Sequence, residues 1–266
     1  MQQANIDAWR SGEPYERYVG RWSGKLAPVF LEWLQARDQQ AWGDVGCGTG
    51  ALAAAILANL DPCSLVGIDA SPAFLEQARR RLNDPRVELQ QGDATRLPWA
   101  SHTLHLTVSG LVLNFVGKPE QMVREMGRVT KPGGTVGVYV WDYAAGMQMI
   151  RSFWDAAAEV DPASRSLDEA VRFPHCRPDV LAGLFRAAGL RQVEVTGLEV
   201  PTVFRDFDDY WDPFLGSTGP APAYLASVGE ATRGAIRDCL ASRLTPADDG
   251  TVHLVARAWA AKGIVP

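Results

Sequence analysis

Three glycines, Gly46, Gly48 and Gly50, lie within five residues between a short apolar run and an alanine-rich helical pattern. Glycine adopts positive φ without strain and lets the backbone approach a ligand closely, and the following helix offers unpaired N–H groups and a positive dipole end. The stretch therefore predicts a turn that binds an anionic group. A tight turn without a ligand has the same spacing, and the pattern also fits the dinucleotide fingerprint, so the glycines alone do not select a cofactor.

Three aspartates near this turn narrow the choice of ligand. Asp44 lies two residues before the first glycine, where its charge would repel a pyrophosphate but suit an ammonium or sulfonium group. Asp69 ends the second predicted strand, about 20 residues after the turn, where a carboxylate accepts hydrogen bonds from both ribose hydroxyls. Asp93 follows the third strand, where it would accept a hydrogen bond from an adenine amino group, although a turn or capping aspartate is the alternative interpretation. The three together favour a nucleoside with a cationic tail.

The elements that position these residues alternate between strand and helix. The patterns predict strands over 41–46, 64–69, 86–93, 102–110, 135–142, 191–200 and 250–263. They predict helices over 25–37, 50–60, 71–82, 119–129, 143–160 and 179–190, and a further helical stretch over 207–244. Regular alternation indicates a parallel sheet covered on both faces, and such sheets bind ligands at the carboxyl ends of the strands, where the strand order reverses.

The alternation breaks after Asp142, which indicates a helical insertion above the sheet. We therefore expect four segments along the chain. They are an N-terminal lead over 1–24, the first half of the sheet domain over 25–142, a helical insertion over 143–177, and the rest of the domain over 178–266 with a second helical insertion over 205–248.

Composition restricts the function classes. With 26 basic and 31 acidic residues the 266-residue chain has a net charge of −5 and no basic run, so nucleic acid and acidic membranes are disfavoured as partners. No stretch reaches the roughly 18 uncharged apolar residues of a membrane span, and the N-terminus lacks the apolar core of a signal peptide, so we expect a cytoplasmic protein. The four cysteines lack C-x-x-C spacing, which predicts free thiols.

Five segments occur in the order and spacing of a known family: DVGCGTGALA, GIDASPAFLEQARRRL, VELQQGDATRLPW, HTLHLTVSGLVLNFV and EMGRVTKPGGTVGVYVWD. The chain resembles class I S-adenosylmethionine-dependent methyltransferases, most closely the small-molecule branch that includes the ubiquinone/menaquinone biosynthesis enzymes. The resemblance implies an α/β fold with a doubly wound, Rossmann-like sheet of seven mostly parallel strands, an antiparallel last strand beside 191–200, and helical lid insertions. It also implies an S-adenosylmethionine-dependent enzyme that methylates a small organic acceptor, as a monomer or homodimer.

The resemblance implies cofactor contacts at the carboxyl ends of the first four strands. The methionyl part of the cofactor would lie beside the turn residues, the ribose and adenine would lie beside the next two strand ends, and a serine would lie under the sulfonium. In chain order the residues are Asp44, Gly46, Cys47, Gly48, Asp69, Ala70, Asp93, Ala94 and Ser109.

The N-terminal lead resembles the segment of this branch that folds over the bound cofactor. Tyr18, Arg21, Trp22 and Ser23 are therefore candidate closing residues, and the Arg21 guanidinium would meet the cofactor's carboxylate through a bidentate contact. An exposed arginine beside a packed tryptophan is the alternative interpretation.

The chain departs from the family pattern at two places. Trp42 and Gly43 replace the usual aliphatic pair before the first aspartate, which predicts altered packing behind the cofactor. Asn114 stands where many relatives carry a histidine after the fourth strand, so no general base is assigned there.

The catalytic residues stay open. Methyl transfer depends mainly on alignment and exclusion of water, and a base is needed only for some acceptors. The candidates are His175, whose alternative is a structural loop histidine, Asp142, whose alternative is an ion pair with an arginine, and Asn114. Ser109, Asn114 and Asp142 offer too few charged oxygens for magnesium, so we expect no metal.

Two other functions fit parts of the sequence. A catalytically silent S-adenosylmethionine-binding protein would keep the same fold and the same cofactor residues. A nicotinamide-dependent dehydrogenase uses a related sheet, but Asp44 inside the turn and Asp93 at the adenine count against it.

Overall fold

A computed structural model describes residues 16–216 and 219–266, so most of the predicted lead over 1–24 lies outside the described residues. Seven strands form one sheet in the order β3-β2-β1-β4-β5-β7-β6. Strands β1 to β6 are parallel to one another, and β7 is antiparallel to them. The strands are β1 (Ala41–Val45), β2 (Ser64–Asp69), β3 (Val87–Gln91), β4 (Leu104–Gly110), β5 (Thr130–Trp141), β6 (Arg191–Phe204) and β7 (Val252–Ile264). The predicted α/β architecture is confirmed, including the antiparallel last strand beside β6.

The strand order reverses at β1, which pairs with β2 on one side and with β4 on the other. Trp42 is aligned with Leu65 of β2 and with Leu106 of β4, and all three side chains are buried. Strands that are covered on both faces read as apolar runs rather than as alternating patterns. The glycine turn follows β1 directly, so it lies at the switch point where open α/β sheets bind ligands.

Helices connect and cover the strands. The described α-helices are α1 (Arg21–Leu34), α2 (Ala51–Asn59), α3 (Pro72–Arg81), α4 (Pro119–Val129), α5 (Gln148–Val160), α6 (Glu169–Arg172), α7 (Pro178–Ala187), α8 (Phe207–Trp211), α9 (Pro220–Ser227) and α10 (Glu230–Arg243). Short helical turns occur at Glu16–Gly20, Leu113–Phe115, Pro162–Leu167, Pro174–Cys176 and Asp212–Leu215. None of the helices in the described part of the chain combines the length and the apolar character that a membrane crossing requires.

Local signals explain where several of these elements begin and end. Ser71 caps α3 by accepting a hydrogen bond from Phe74 N at 3.3 Å, and Pro72 takes the first helical position. In contrast, α5 begins at Gln148 and not at Tyr143 as the pattern predicts. The Asp142 carboxylate accepts hydrogen bonds from the backbone of Ala145 and Gly146, which holds the preceding residues in a turn.

The KPGG segment, residues 131–134, forms an excursion inside β5. Leu104 of β4 is aligned with Thr130, whereas Leu106 is aligned with Thr135, so β5 contains three more residues than its partner between these points. Gly133 has φ +76°, in the left-handed region that glycine adopts without strain. The ladder therefore resumes in register after the excursion.

The chain forms two compact units. The glycine-turn unit comprises Ser23–Val140, His175–Leu198 and Trp259–Pro266. In its core the ring of Phe30 lies 4.7 Å from that of Tyr139, and both side chains are buried. This unit contains β1 to β4 and the turn that follows β1.

The insertion unit comprises the described residues up to Trp22, Trp141–Pro174 and Glu199–Ala258. Its core is aromatic: Phe153 stacks on Phe214 with a centroid distance of 4.6 Å, and Tyr18 meets Phe214 edge-on at 5.5 Å. Such pairs add stabilisation beyond the burial of apolar area.

Candidate functional site

The glycine turn has three residues in the left-handed region, where Gly46, Gly48 and Gly50 have φ values of +73°, +53° and +82°. A Cβ at Gly46 would lie 2.5 Å from Val112 Cγ1, and a Cβ at Gly50 would lie 2.8 Å from Leu82 Cδ1. A Cβ at Gly48 would meet no described protein atom within 4 Å. The first and third glycines therefore permit internal packing, whereas Gly48 presents its backbone to open space.

Asp69 ties the glycine turn to the start of α3. Its Oδ2 accepts a hydrogen bond from Gly48 N at 2.9 Å, and its Oδ1 accepts one from Ser71 N at 2.8 Å. Burial raises the pKa of this carboxyl group, and the two N–H donors oppose that shift. Each carboxylate oxygen has further acceptor capacity. Asp69 is thus fixed in place and still able to accept hydrogen bonds from a ligand.

Asp44 is buried at the end of β1 with only 1% of its surface exposed. Burial, followed by the charge of Asp69, raises the pKa of Asp44 to about 7, and the Ala53 N–H opposes the shift. Its Oδ2 has no hydrogen-bond partner among the residues that the structure describes. Buried polar atoms normally have a partner, so this oxygen indicates a group that the described residues do not supply.

A cleft of about 850 Å³ opens in the glycine-turn unit beside the ends of β1, β2 and β3. It brings together five residues predicted from the sequence: Gly46, Asp69, Ala70, Asp93 and Ala94. Asp93 is also a turn aspartate, which was its alternative interpretation. Its Oδ1 accepts hydrogen bonds from Thr95 N and Oγ1, both at 2.8 Å, and these bonds lower the pKa of Asp93. Its second oxygen is not used by this turn. The turn and a ligand contact are therefore compatible at Asp93.

One wall of the cleft was not predicted from the sequence. It is formed by the segment after β4, which contributes Val112, Phe115 and Lys118, and Gln91 adds a further contact at the end of β3. Leu111 has φ +62°, a strained value for a leucine, and its N–H donates to Tyr139 O at 2.8 Å. Apolar residues just beyond a strand end were the available signal for this wall.

Five further predicted residues, all at or just after the ends of β1 and β4, lie outside the cleft lining: Asp44, Cys47, Gly48, Ser109 and Asn114. Cys47 is buried, and burial raises the pKa of its thiol far above the usual range. Ser109 at the end of β4 and Asn114 in the next turn are also buried, and Ser109 Oγ and Asn114 Nδ2 lack hydrogen-bond partners within the described ranges. Gly48 presents its backbone to open space. The polar atoms of Ser109 and Asn114 therefore indicate, like Asp44 Oδ2, groups that the described residues do not supply.

Trp99 accounts for the unusual Trp42-Gly43 pair. Trp42 is fully buried, and a Cβ at Gly43 would lie 2.6 Å from Leu104 Cδ1 and 3.0 Å from Trp99 Cζ3. The indole of Trp99 therefore fills the space that a larger side chain at position 43 would occupy. Altered packing behind the cofactor stays a prediction.

Arg21, predicted to contact the cofactor, has protein partners in the insertion unit. Its Nη1 lies 3.1 Å from Asp209 Oδ1, and its guanidinium lies 4.4 Å from the ring centroid of Trp22 and 4.7 Å from that of Phe204. Trp22 is buried, so the packed tryptophan of the alternative interpretation is present. A cofactor contact of Arg21 stays a prediction, and it requires the guanidinium to share or leave Asp209.

Asp142 forms the ion pair that its alternative interpretation describes. Its Oδ2 accepts hydrogen bonds from Arg257 Nε at 2.8 Å, from Arg257 Nη2 at 2.6 Å and from Gly146 N at 2.9 Å. The side chain is almost completely buried. The structure therefore gives Asp142 a structural partner in the insertion unit.

We expect Asp142→Ala to lower the free energy of unfolding by about 3 kcal/mol, because it removes the buried carboxylate that is hydrogen-bonded to the partly buried guanidinium of Arg257 and to two backbone N–H groups. Chemical denaturation measures this change. The matched control is Asp155→Ala, which removes a more exposed partner of Arg151 and should cost less than about 1 kcal/mol. Equal stabilities of the two variants would contradict a structural role for Asp142.

The remaining catalytic candidate, His175, lies half-buried in the short turn Pro174–Cys176 before α7. All four cysteines are free thiols, as predicted. In residues 16–216 and 219–266, no group of three or more His, Cys, Asp or Glu side chains converges as a metal site would require.

Comparisons with known proteins identify methyltransferases as relatives of the chain. The family described as "Methyltransferase domain" matches residues 43–138, from the end of β1 through most of β5. A demethylmenaquinone methyltransferase from Symbiobacterium thermophilum is 31% identical over 211 residues, which cover 70% of this chain and 81% of that protein. An "uncharacterized 37.1 kDa protein in transposon TN4556" of Streptomyces fradiae is 36% identical over 118 residues, covering 43% of this chain. The chain spans only 34% of that second relative's length.

Solved structures share the fold. Phosphoethanolamine N-methyltransferase 2 of Haemonchus contortus, in complex with phosphomonomethylethanolamine and S-adenosylhomocysteine, matches with a TM-score of 0.60 and 14% identity. The match covers 96% of this chain and 58% of that protein. The chain belongs to the class I methyltransferase family.

Proposed function

We propose that this methyltransferase uses S-adenosylmethionine to methylate a small organic acceptor. The observation that carries the proposal is the pairing of two different carboxylates at one glycine turn. Asp69 is held by Gly48 N and Ser71 N and keeps free acceptor capacity, whereas Asp44 has a buried oxygen without a partner in the described part of the chain. A nucleoside with a cationic amino-acid tail satisfies both groups.

The residues present fit this cofactor. Asp69 and Ala70 would hold the ribose, and Asp93 and Ala94, which line the same cleft, would hold the adenine. Asp44, Gly46, Cys47 and Gly48 would receive the methionyl part, where the backbone of Gly48 leaves open space. Ser109 would lie near the sulfonium, and Arg21 would approach the cofactor's carboxylate.

When bound, the cofactor supplies a methyl group on a sulfonium, which is activated for direct displacement. The chain's own contribution is then to bind, orient and exclude water. Asp69 would orient the nucleoside, the glycine turn would receive the methionyl part, and the apolar side chains of Val112 and Phe115, which line the cleft, would exclude water from that side. No metal is needed in this scheme.

A quinol is the acceptor class that we propose to test first. The support is the name of the Symbiobacterium relative, a demethylmenaquinone methyltransferase, together with the absence of a basic run in the sequence. A hydroxylated ring that attacks the methyl group through carbon or oxygen loses a proton, so it needs a proton acceptor. His175 and Asn114 remain candidates for contact with the acceptor, and Asp142 would have to leave Arg257 to serve as a base.

Calorimetric titration with S-adenosylhomocysteine tests the proposal. We expect heat of binding and a rise of the melting temperature with ligand concentration, because a ligand that binds only the folded state stabilises it. NAD is the comparison ligand, and tight binding of NAD without binding of S-adenosylhomocysteine would overturn the proposal. Transfer of labelled methyl groups to a panel of hydroquinones then separates an enzyme from a silent binding protein.

A further inference from the structure

Two carboxyl groups lie at the glycine turn, and they differ in burial and in the hydrogen bonds that they accept. Asp69 accepts one backbone hydrogen bond on each oxygen, from Ser71 N at 2.8 Å and from Gly48 N at 2.9 Å. Asp44 lies deeper, with 1% of its surface exposed and with Oδ2 unpartnered in the described chain. Hydrogen-bond donors stabilise the charged form of a carboxyl group, and burial without donors favours the neutral form. Asp44 therefore keeps a proton more readily than its geometry at the strand end alone would suggest, and the two hydrogen bonds favour the negative charge on Asp69.

The described surroundings of Asp44 contain no cation that would offset a second negative charge beside that of Asp69. Asp44 is aligned with Gly67 of β2 and Val108 of β4, and α2 contributes the Ala53 N–H. Within the described ranges the titratable groups that face Asp44 are the carboxylate of Asp69 and the thiol of Cys47, and neither is a cation. Arg79 of α3 acts on the Cys47 thiol, lowering its pKa, but burial outweighs that effect.

We propose that the ammonium group of the cofactor's amino-acid tail takes the place of a proton on Asp44, so that cofactor binding releases one proton. This inference rests on the proposed function and adds a control of the same site by pH. No covalent bond is made or broken: the carboxyl proton passes to solvent, and the ammonium becomes the counter-ion of the carboxylate.

The direction of the pH dependence follows from this exchange. Burial and Asp69 raise the pKa of Asp44 to about 7 in the free protein, so the binding-competent anion becomes scarce as the pH falls below that value. The dissociation constant of S-adenosylhomocysteine should be nearly constant above about pH 8, and it should rise by about tenfold at pH 6 and about 100-fold at pH 5. Affinity is thus lost on acidification.

Calorimetry of S-adenosylhomocysteine binding in buffers of different ionisation enthalpy counts the protons directly. At pH 6 we expect release of nearly one proton per ligand, and at pH 8 close to none. Adenosine, which lacks the amino-acid tail, is the matched control ligand and should bind at pH 6 without releasing a proton.

Asp44→Asn is the matched variant, because the amide has the shape of the protonated acid but does not titrate. Its affinity for S-adenosylhomocysteine should be weaker than that of the native chain at pH 8 and should not change between pH 6 and pH 8. Should this variant bind too weakly to measure, the comparison of S-adenosylhomocysteine with adenosine on the native chain still decides. Binding of S-adenosylhomocysteine with equal affinity at both pH values and no proton release overturns this inference but leaves the proposed function intact. Absence of binding at both pH values overturns the proposed function itself.

Discussion

Asp69→Ala is expected to weaken binding of S-adenosylhomocysteine by about 100-fold or more, which corresponds to about 3 kcal/mol. The variant removes the charged acceptor that we assign to the ribose hydroxyls, and it also leaves Gly48 N and Ser71 N without their acceptor. The orientation of the glycine turn is therefore lost together with the ligand contact. Calorimetric titration measures the affinity.

The control for Asp69→Ala is Glu88→Ala, which removes an exposed carboxylate from the neighbouring strand β3. It changes the net charge equally and should leave the affinity within about twofold, because exposed charges are well screened. Asp69→Asn retains one acceptor oxygen and should lie between the two. An Asp69→Ala variant that is folded and binds as tightly as Glu88→Ala would contradict the assignment.

Gly46→Ala is expected to destabilise the chain by about 3 kcal/mol or more. The φ of +73° costs an L-residue about 1–2 kcal/mol, and the new Cβ would also lie 2.5 Å from Val112 Cγ1. That distance requires a shift of the wall of the cleft. Thermal and chemical denaturation measure the loss, and Val112→Ala introduced in the same chain should restore part of it.

Gly48→Ala separates backbone strain from ligand contact. Its φ is +53° and its Cβ would meet no described atom within 4 Å, so only the conformational cost of about 1–2 kcal/mol applies. Gly133→Ala, with φ +76° and an equally open surrounding outside the cleft, is matched for strain. We expect Gly48→Ala alone to weaken S-adenosylhomocysteine binding, by tenfold or more. Equal affinities of the two variants would place the ligand elsewhere.

Much of the fold could be predicted from local patterns. Neighbouring residues are enough to indicate the alternation of strands and helices, the Ser71 cap and the glycine turn. The family resemblance added the antiparallel β7, which no local pattern specifies. The same locality explains why Asp69 and Gly46 were identified as site candidates, since each directly ends or follows a strand.

Contacts between distant segments were not predictable. Arg257 lies 115 positions from Asp142, and the residues next to either of them do not predict that the two form an ion pair. The packing of Trp99 on Gly43 and of Val112 over Gly46 depends on how separate segments meet, which periodicity does not encode. These contacts decide which predicted residues are structural and which face the cleft.

The bracing of the glycine turn by Asp69 has a consequence for the speed of recognition. The bonds to Gly48 N and Ser71 N hold the glycine turn and the start of α3 in one arrangement before any ligand arrives. Little chain entropy is then lost on association at this end of the site, and preorganised sites bind without a slow ordering step. We expect capture of the nucleoside to be limited by diffusional encounter, with differences among analogues arising mainly in how long each one stays.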